Sequence, residues 1–145
     1  MEEKNNYDRL KLENQLCFPL YACARKVVNR YTPYLKPLGI TYTQYLVFLV
    51  LWEQDGLTVG ELGQKLYLDN GTLTPLLKKM EAAGHITRTR SKEDERVVQV
   101  FLTPEGRNLR EEAKDIPAKM QECLSVSPEQ AKQLYQLLYE VLNMA

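Results

Sequence analysis

Residues 58–84 of the chain read TVGELGQKLYLDNGTLTPLLKKMEAAG, and this stretch decides the fold. Thr58 followed three residues later by Glu61 is the pattern of a capping box, in which each side chain accepts a hydrogen bond from the other residue's backbone amide. The box predicts the start of a short helix, because apolar residues then recur at helical spacing. These apolar residues are Val59, Leu62 and Leu66.

A second helix is predicted directly after a turn at residues 67–71. Its apolar positions recur at i, i+3, i+4 and i+7, the spacing that places side chains on one helix face. Pro75 has no amide hydrogen and must lie in or near the first turn, which puts the helix start at about residues 70–72. Gly84 is the expected C-terminal stop. The apolar stripe consists of Leu73, Leu76, Leu77 and Met80.

The period of the pattern changes from 3.6 to 2 after this helix. Residues 86–90 (ITRTR) and 98–102 (VQVFL) alternate as β-strands do, and the polar segment 91–95 lies between them as the tip of a hairpin. Two helices, a turn and a hairpin in this order indicate a winged helix-turn-helix. In DNA readers of this plan the second helix enters a major groove, and the hairpin reaches the flanking backbone or minor groove.

The charge distribution supports a nucleic-acid partner, although the formal net charge of the whole chain is zero. Between Thr72 and Lys92 there are five basic residues and one acid, Glu81, so this window carries 5 − 1 = +4. From Pro104 onward, five basic residues face seven acidic ones, which gives 5 − 7 = −2. Clustered positive charge indicates DNA binding when the local structure aims it in one direction. The basic residues of the window are Lys78, Lys79, Arg88, Arg90 and Lys92.

The flanking segments are expected to form the scaffold of a mainly α fold. We expect one domain over residues 1–145, with the winged helix at about 55–103 and N- and C-terminal dimerisation helices at about 8–36 and 104–145. A capping box at Ser127 opens a final helix whose apolar face one small domain cannot easily cover. A helical dimer interface would cover it, because DNA half-sites are usually read by two-fold dimers. This face carries Ala131, Leu134, Leu138, Val141 and Leu142.

Other classes of protein have little support in the sequence. The longest uninterrupted apolar run, residues 45–52, is far shorter than the ~20 residues that span a bilayer, and the acidic N-terminus resembles no signal peptide. We therefore expect a cytoplasmic protein without membrane contact. His85 is the only histidine and no Cys-x-x-Cys pair occurs, so we expect no metal, no cofactor and no histidine-based catalysis.

Four segments resemble the MarR family of bacterial regulators, and in particular its organic-hydroperoxide-sensing branch. They are LCFPLY at 16–21, LGITYTQY at 38–45, LYLDNGTLTPLLKKM at 66–80 and RSKEDER at 90–96. The similarity covers roughly residues 12–117. The wing pattern is typical of the wider family, and its combination with Leu-Cys-Phe favours the thiol-sensing branch. Pro19 departs from that branch, in which small residues are frequent at this position.

The resemblance implies a homodimeric repressor that binds a pseudo-palindromic operator in double-stranded DNA and responds to organic hydroperoxides. By motif, Cys17 is the residue that they oxidise. Tyrosines from both subunits surround this thiol in the branch, and the matching positions are Tyr21, Tyr31 and Tyr42. The residues themselves agree in part, because Cys17 and Tyr21 are four apart and share a helix face. Pro19 favours a helix that begins close to Cys17, although a longer helix with a kink at Pro19 fits the residues equally well. Free amides at a helix start stabilise a thiolate.

The other two cysteines differ from Cys17 in status. Cys23 lies six positions after Cys17, about 240° around an ideal helix, so the two thiols cannot meet within it. We expect Cys23 to be a buried bystander. Cys123 lies near the position at which two-cysteine members of the branch carry a resolving cysteine on the partner subunit. The spacing leaves open whether Cys123 resolves an oxidised Cys17 or is a bystander.

The expected DNA contacts of the second helix divide by role. Thr72, Thr74 and the amides near Gly71 are expected to hold phosphate. The face expected to meet the major groove carries Pro75, Lys78 and Lys79.

The hairpin is expected to supply the remaining contacts. Arg96 would enter the minor groove beside the wing, oriented by a charge-assisted hydrogen bond that it donates to Asp94. Arg88 and Arg90, on the first strand, are also expected to bind DNA.

Two other functions stay open from the sequence alone. The first is a related regulator that a small phenolic or other ligand releases from DNA, with Cys17 incidental. The second is a thiol peroxidase, which has little support because turnover needs a basic group at the thiol and only Arg25 and Lys26 are near in sequence. We therefore expect no enzyme. The sequence does not distinguish a repressor from an activator.

Overall fold

The computed structural model describes residues 7–144, which form a mainly helical fold with one small antiparallel sheet. In chain order the helices and strands are α1 (Cys17–Leu35), α2 (Tyr42–Glu53), β1 (Leu57–Thr58), α3 (Val59–Leu66), α4 (Asn70–Ala82), β2 (Ile86–Arg90), β3 (Val98–Leu102), α5 (Pro104–Ala113), α6 (Ile116–Cys123) and α7 (Pro128–Leu142). Single-turn 3-10 helices lie at Asp8–Leu10, Leu12–Asn14 and Lys36–Leu38.

The predicted winged helix-turn-helix is confirmed. The capping box starts α3 as predicted, since the Thr58 hydroxyl accepts from the Glu61 amide at 3.1 Å and the Glu61 carboxylate accepts from the Thr58 amide at 2.9 Å. Helix α4 begins at Asn70, within the predicted start at residues 70–72. Gly84, with a φ of +79°, follows the end of α4. This positive φ is the left-handed conformation that glycine adopts without strain.

The hairpin has the predicted strands, and the sheet gains one strand that the sequence pattern did not reveal. Strands β2 and β3 pair antiparallel from Ile86–Leu102 to Arg90–Val98. Strand β1 pairs with the other edge of β3, so the order is β1-β3-β2. Its two residues are too few to show an alternating pattern.

The core fills the space between α2, α3, α4 and the sheet. Helix α2 is buried along most of its length, as its apolar composition predicts, although Leu49 remains 41% exposed. The largest fully buried side chains of this core include Val47, Phe48, Leu51, Leu62, Leu73, Leu77, Met80, Ile86 and Val100. This packing fixes one face of α4 inward and leaves the other free for a ligand.

The N-terminal helix is shorter than the predicted 8–36. Two single-turn 3-10 helices precede it, and α1 begins at Cys17. Pro19 lies in the first turn of α1, where its missing amide hydrogen costs no intrahelical hydrogen bond. The start of α1 close to Cys17 is therefore as Pro19 predicts.

The described chain forms two compact units, one that extends to Lys114 and one that begins at Asp115. In the second unit the capping box at Ser127 starts α7 as predicted, with reciprocal hydrogen bonds to Gln130 of 2.9 and 3.2 Å. No residue of α7 is buried. Its exposed apolar side chains are Leu134, Tyr135, Leu137, Leu138, Tyr139, Val141 and Leu142.

Over residues 7–144, no helix combines the length and the apolar composition needed to cross a membrane.

Candidate nucleic-acid interface and thiol site

The outer face of α4 presents four of the five residues of this helix that are predicted to contact DNA. Leu73, Leu77 and Met80 are fully buried, and this orientation turns the opposite side of the helix outward. Thr74 is half-buried. The exposed residues of the predicted contact set on this helix are Thr72, Pro75, Lys78 and Lys79.

The amides at the start of α4 are not free for phosphate, which corrects one prediction. Asp69 caps the helix, and its carboxylate accepts a hydrogen bond from the Thr72 amide at 2.7 Å. Hydrogen bonds from the Thr72 backbone amide, the Thr72 hydroxyl and the Gly71 amide lower the pKa of Asp69. Asp69 therefore already accepts hydrogen bonds from the amides that were predicted to hold phosphate.

At the tip of the hairpin, Arg96 and Asp94 form the predicted pair. Arg96 donates to the Asp94 carboxylate from its backbone amide at 3.0 Å and from Nε at 3.3 Å. The Arg96 side chain is 92% exposed, so the part of the guanidinium beyond Nε projects into solvent while Nε is bonded to Asp94.

Arg88, one of the predicted DNA contacts, forms an ion pair with Glu81 of α4. Its side chain and its backbone amide each donate to the Glu81 carboxylate at 3.1 Å. Three interactions with Arg88 lower the pKa of Glu81: the hydrogen bond from the Arg88 side chain, the positive charge of that side chain, and the hydrogen bond from the Arg88 backbone amide. Glu81 thus offsets the charge of Arg88 and ties β2 to the end of α4. Arg90 donates to the Glu95 carbonyl at 3.3 Å across the hairpin.

Cys17 is the first residue of α1 and is exposed. Tyr21, one turn further along the helix, is 60% exposed. The guanidinium carbon of Arg25 lies 5.5 Å from the centre of the Tyr21 ring. Sequence reasoning noted the shared face of Cys17 and Tyr21 but not this cation–π contact.

Tyr31 and Tyr42 meet in a cluster that also contains Tyr45. The ring centres of Tyr31 and Tyr42 are 4.8 Å apart, and Tyr45 lies 5.7 Å from Tyr31. Burial raises the pKa of all three phenols, so their hydroxyls remain protonated donors at neutral pH. Tyr45 was missed because its position on an apolar helix indicates only the core.

The thiol and the tyrosine cluster do not meet within one chain. Cys17 and Tyr31 are fourteen residues apart on the continuous helix α1, which corresponds to about 21 Å along the axis. A site that combines them therefore requires two chains.

The exposure of the other two cysteines, Cys23 and Cys123, can be compared with the predictions. Cys23 is exposed rather than buried, contrary to the prediction. Cys123 is half-buried at the end of α6, in the second compact unit. Within the described residues no group of three or more histidine, cysteine or acidic side chains is placed to hold a metal ion.

A joint that sequence reasoning missed connects α2 to the base of the hairpin. Trp52 on α2 donates its indole hydrogen to the Gly106 carbonyl at 3.0 Å. The His85 carbonyl accepts from the Thr103 amide at 3.0 Å, and a Cβ on Gly106 would overlap that same carbonyl. The only sequence signal was the glycine after the wing.

Helix α4 with an outward polar and basic face, beside a hairpin that carries an exposed arginine, defines a winged-helix DNA-binding protein. A family model described as transcriptional regulator SarA/Rot matches residues 30–113. The chain belongs to this family of MarR-like winged-helix transcriptional regulators.

Individual relatives match nearly the whole chain. An organic hydroperoxide resistance transcriptional regulator of Bacillus subtilis (strain 168) is 52% identical over 140 residues, which cover 97% of this chain and 95% of that protein. The HTH-type transcriptional regulator SarZ of Staphylococcus saprophyticus is 39% identical over 143 residues, with 99% and 95% covered.

Solved structures of AbfR, a protein of Staphylococcus epidermidis, share the fold. The reduced form bound to DNA has a TM-score of 0.78 at 36% identity, and the match covers 92% of this chain and 94% of that chain. The disulfide-formed protein has a TM-score of 0.66 at 37% identity, with 93% and 95% covered.

Proposed function

We propose that this protein is a homodimeric transcription repressor that organic hydroperoxides release from DNA by oxidising Cys17. The observation that carries the proposal is the position of Cys17. It is exposed at the first residue of α1, beside Tyr21, in a chain whose α4 and hairpin present a DNA-reading surface. The similarity to a regulator of organic hydroperoxide resistance supports the inducer class.

Two features of the chain support a homodimer. Helix α7 leaves an apolar face of leucine, valine and tyrosine side chains without cover in its own unit. Helix α1 separates Cys17 from the Tyr31 cluster by about 21 Å, and an antiparallel pair of α1 helices from two chains would bring each thiol to the other chain's tyrosines.

The dimer would read a pseudo-palindromic operator. Each α4 would enter a major groove with its Pro75, Lys78 and Lys79 face, and each Arg96 would enter the neighbouring minor groove. Phosphate contacts would come from other side chains of this surface, with Thr74 as a hydroxyl donor on α4 and Arg90 adding positive charge from β2.

The chemical step at Cys17 is an oxygen transfer. The thiolate attacks the hydroperoxide, the O–O bond breaks, and the products are a sulfenic acid at Cys17 and the alcohol. A thiol then condenses with the sulfenic acid to form a disulfide and water. One oxidation of Cys17 per subunit is enough to release the DNA, so the proposed mechanism needs no catalytic turnover. The protein would act as a regulator of gene expression in the cytoplasm.

A covalent change at Cys17 can supply the free energy that is needed to switch the dimer between two states. Nearly complete switching between two dimer states needs about 5.5 kcal/mol of differential stabilisation, whereas reversible ligand coupling is typically about 1–3 kcal/mol. Added bulk and polarity at Cys17, under the tyrosines of the other chain, would favour a dimer whose α4 helices no longer match the half-site spacing.

The test follows DNA binding of the parent protein and of Cys17→Ser while cumene hydroperoxide or a salicylate-like ligand is added. The parent is expected to gain oxygen or a thiol adduct at Cys17 by intact mass spectrometry and to leave its operator. Cys17→Ser is expected to bind normally and to ignore the hydroperoxide. Release by the phenolic ligand alone, with Cys17→Ser behaving like the parent, would instead identify a ligand-controlled regulator.

A further inference from the structure

A surface on α1 that bears only positive charge begins five residues beyond the proposed sensing thiol. Residues 14–52 contain four basic residues and no acid, so this segment carries a charge of +4. Three of these residues, Arg25, Lys26 and Arg30, line one shallow groove together with Ala22 and Asn29. Within residues 7–144 none of the three makes an ion pair.

Arg25 connects this groove to Cys17. Cys17, Tyr21 and Arg25 recur every four residues along α1, so they follow one another on one side of the helix. Side chains on a helix incline toward its N-terminus, and the Arg25 guanidinium accordingly lies over the Tyr21 ring at 5.5 Å. The contact with the ring leaves the positive charge of Arg25 without a negative partner and directed toward the thiol end of the helix.

We infer that Arg25 recognises a carboxylate on the small molecule that reacts at Cys17. A guanidinium binds a carboxylate through paired N–H donors, and a partly apolar surface beside Tyr21 suits an organic molecule that carries one acid group. The inference rests on the proposed function, since it names the chemistry that Cys17 prefers. Lys26 and Arg30 would strengthen the local field without contacting the reacting molecule.

The carboxylate has two possible sources, because two small molecules react in turn at Cys17. The first is the hydroperoxide, which transfers one oxygen to the thiolate and leaves as the alcohol. The second is a thiol, which condenses with the sulfenic acid to a mixed disulfide with loss of water. Two experimental arms separate them.

In the first arm, the rate of oxidation of Cys17 is measured by intact mass spectrometry with cumene hydroperoxide and with its ring-carboxylated analogue. In the second arm, the protein oxidised with cumene hydroperoxide is mixed with 2-mercaptoethanol or 3-mercaptopropionate. We expect the parent to favour the carboxylated reagent by about 3–10-fold in at least one arm, the size of one partly screened charge contact. High salt should reduce the preference.

Arg25→Gln is expected to lose this preference, because its rate with the carboxylated reagent falls more than its rate with the uncharged one, and Arg25→Lys is expected to keep part of it. Arg110→Gln, which removes one positive charge from the exposed surface of α5, is the matched control and should keep the full preference. Equal rates for both reagents in both arms overturn the assignment of Arg25. So does an Arg25→Gln protein that slows equally with the uncharged reagents, becomes monomeric or loses DNA affinity.

Failure of the proposed function gives a different result. In that case Cys17 of the parent does not react with cumene hydroperoxide, or reacts without release of DNA. No reaction with either hydroperoxide overturns the proposed function and the role of Arg25 together. Reaction at equal rates overturns only the role of Arg25.

Discussion

Asp94 accepts two hydrogen bonds from Arg96 at the hairpin tip, one from the Arg96 backbone amide at 3.0 Å and one from its Nε at 3.3 Å. The rest of the guanidinium extends into solvent on a side chain that is 92% exposed. A long side chain that is fixed at one end loses less conformational entropy when its free end is inserted into a narrow groove.

Replacing Arg96 by alanine is expected to weaken operator binding by about 1–3 kcal/mol and to reduce the salt dependence of the affinity, because one cation leaves the interface. The measurement is a set of binding isotherms at several salt concentrations. Asp94→Asn keeps an acceptor but removes the charge, and it should fall between Arg96→Ala and the parent. Unchanged affinity and salt slope for Arg96→Ala would place this arginine outside the interface.

Helix α7 is expected to hold the dimer together. Glutamate at both Leu134 and Leu138 would place charge on the exposed apolar face and give a monomer with weakened operator binding. Sedimentation velocity measures the change, and truncation after Ser127 should have the same effect or give insoluble protein. Lys132→Glu, about 200° around the helix from Leu134, is the matched control and should remain dimeric. A monomeric variant that still protects a palindromic site would contradict the dimer.

The three cysteines are expected to behave differently toward hydroperoxide. Cys23→Ser should respond like the parent. If Cys123 resolves the sulfenic acid, the parent will run as a disulfide-linked dimer on a non-reducing gel after hydroperoxide treatment, and Cys123→Ser will not. If the parent instead stays unlinked and gains the mass of a small thiol, Cys123 is a bystander. Dissociation of Cys17→Ser by hydroperoxide would exclude Cys17 as the sensor.

Folding stability is expected to fall in acid because of Asp69 and Glu81. Both pKa values are lowered in the folded chain, so the folded state binds fewer protons than the unfolded state in acid. Their contribution is therefore present above the unfolded values of about 4 and is lost as the pH falls through the folded values. Urea unfolding between pH 7 and pH 3 measures it. Asp69→Asn, which can cap α4 but cannot ionise, should flatten this pH dependence; an unchanged slope would contradict the assignment.

The joint at Gly106 is expected to resist any side chain. A Cβ there would overlap the His85 carbonyl, which bonds to Thr103, so Gly106→Ala should lower the free energy of unfolding by about 1–3 kcal/mol. Thermal and urea unfolding measure the loss. Gly60→Ala, at an exposed position of α3 where the nearest contact of a new Cβ is at 3.9 Å, is the control and should be neutral or stabilising. Equal stability of Gly106→Ala and the parent would mean that the backbone around Gly106 and His85 can shift to accommodate a methyl group.

The sequence by itself determined the local elements, because caps, helical stripes and strand alternation are short-range signals. The capping boxes at Thr58 and Ser127 begin α3 and α7 as predicted, and the apolar stripe of α4 predicts which side chains face outward. The pair of Asp94 and Arg96 was also predictable, since the two residues are neighbours in the chain.

The tertiary structure decided the relationships between distant residues. It paired Arg88 with Glu81, placed Tyr45 beside Tyr31, and connected Trp52 to Gly106. None of these contacts follows from spacing, because each depends on how separate elements pack. The separation of Cys17 from the tyrosine cluster depends on the structure as well, because α1 is one continuous helix that holds Cys17 and Tyr31 about 21 Å apart along its axis.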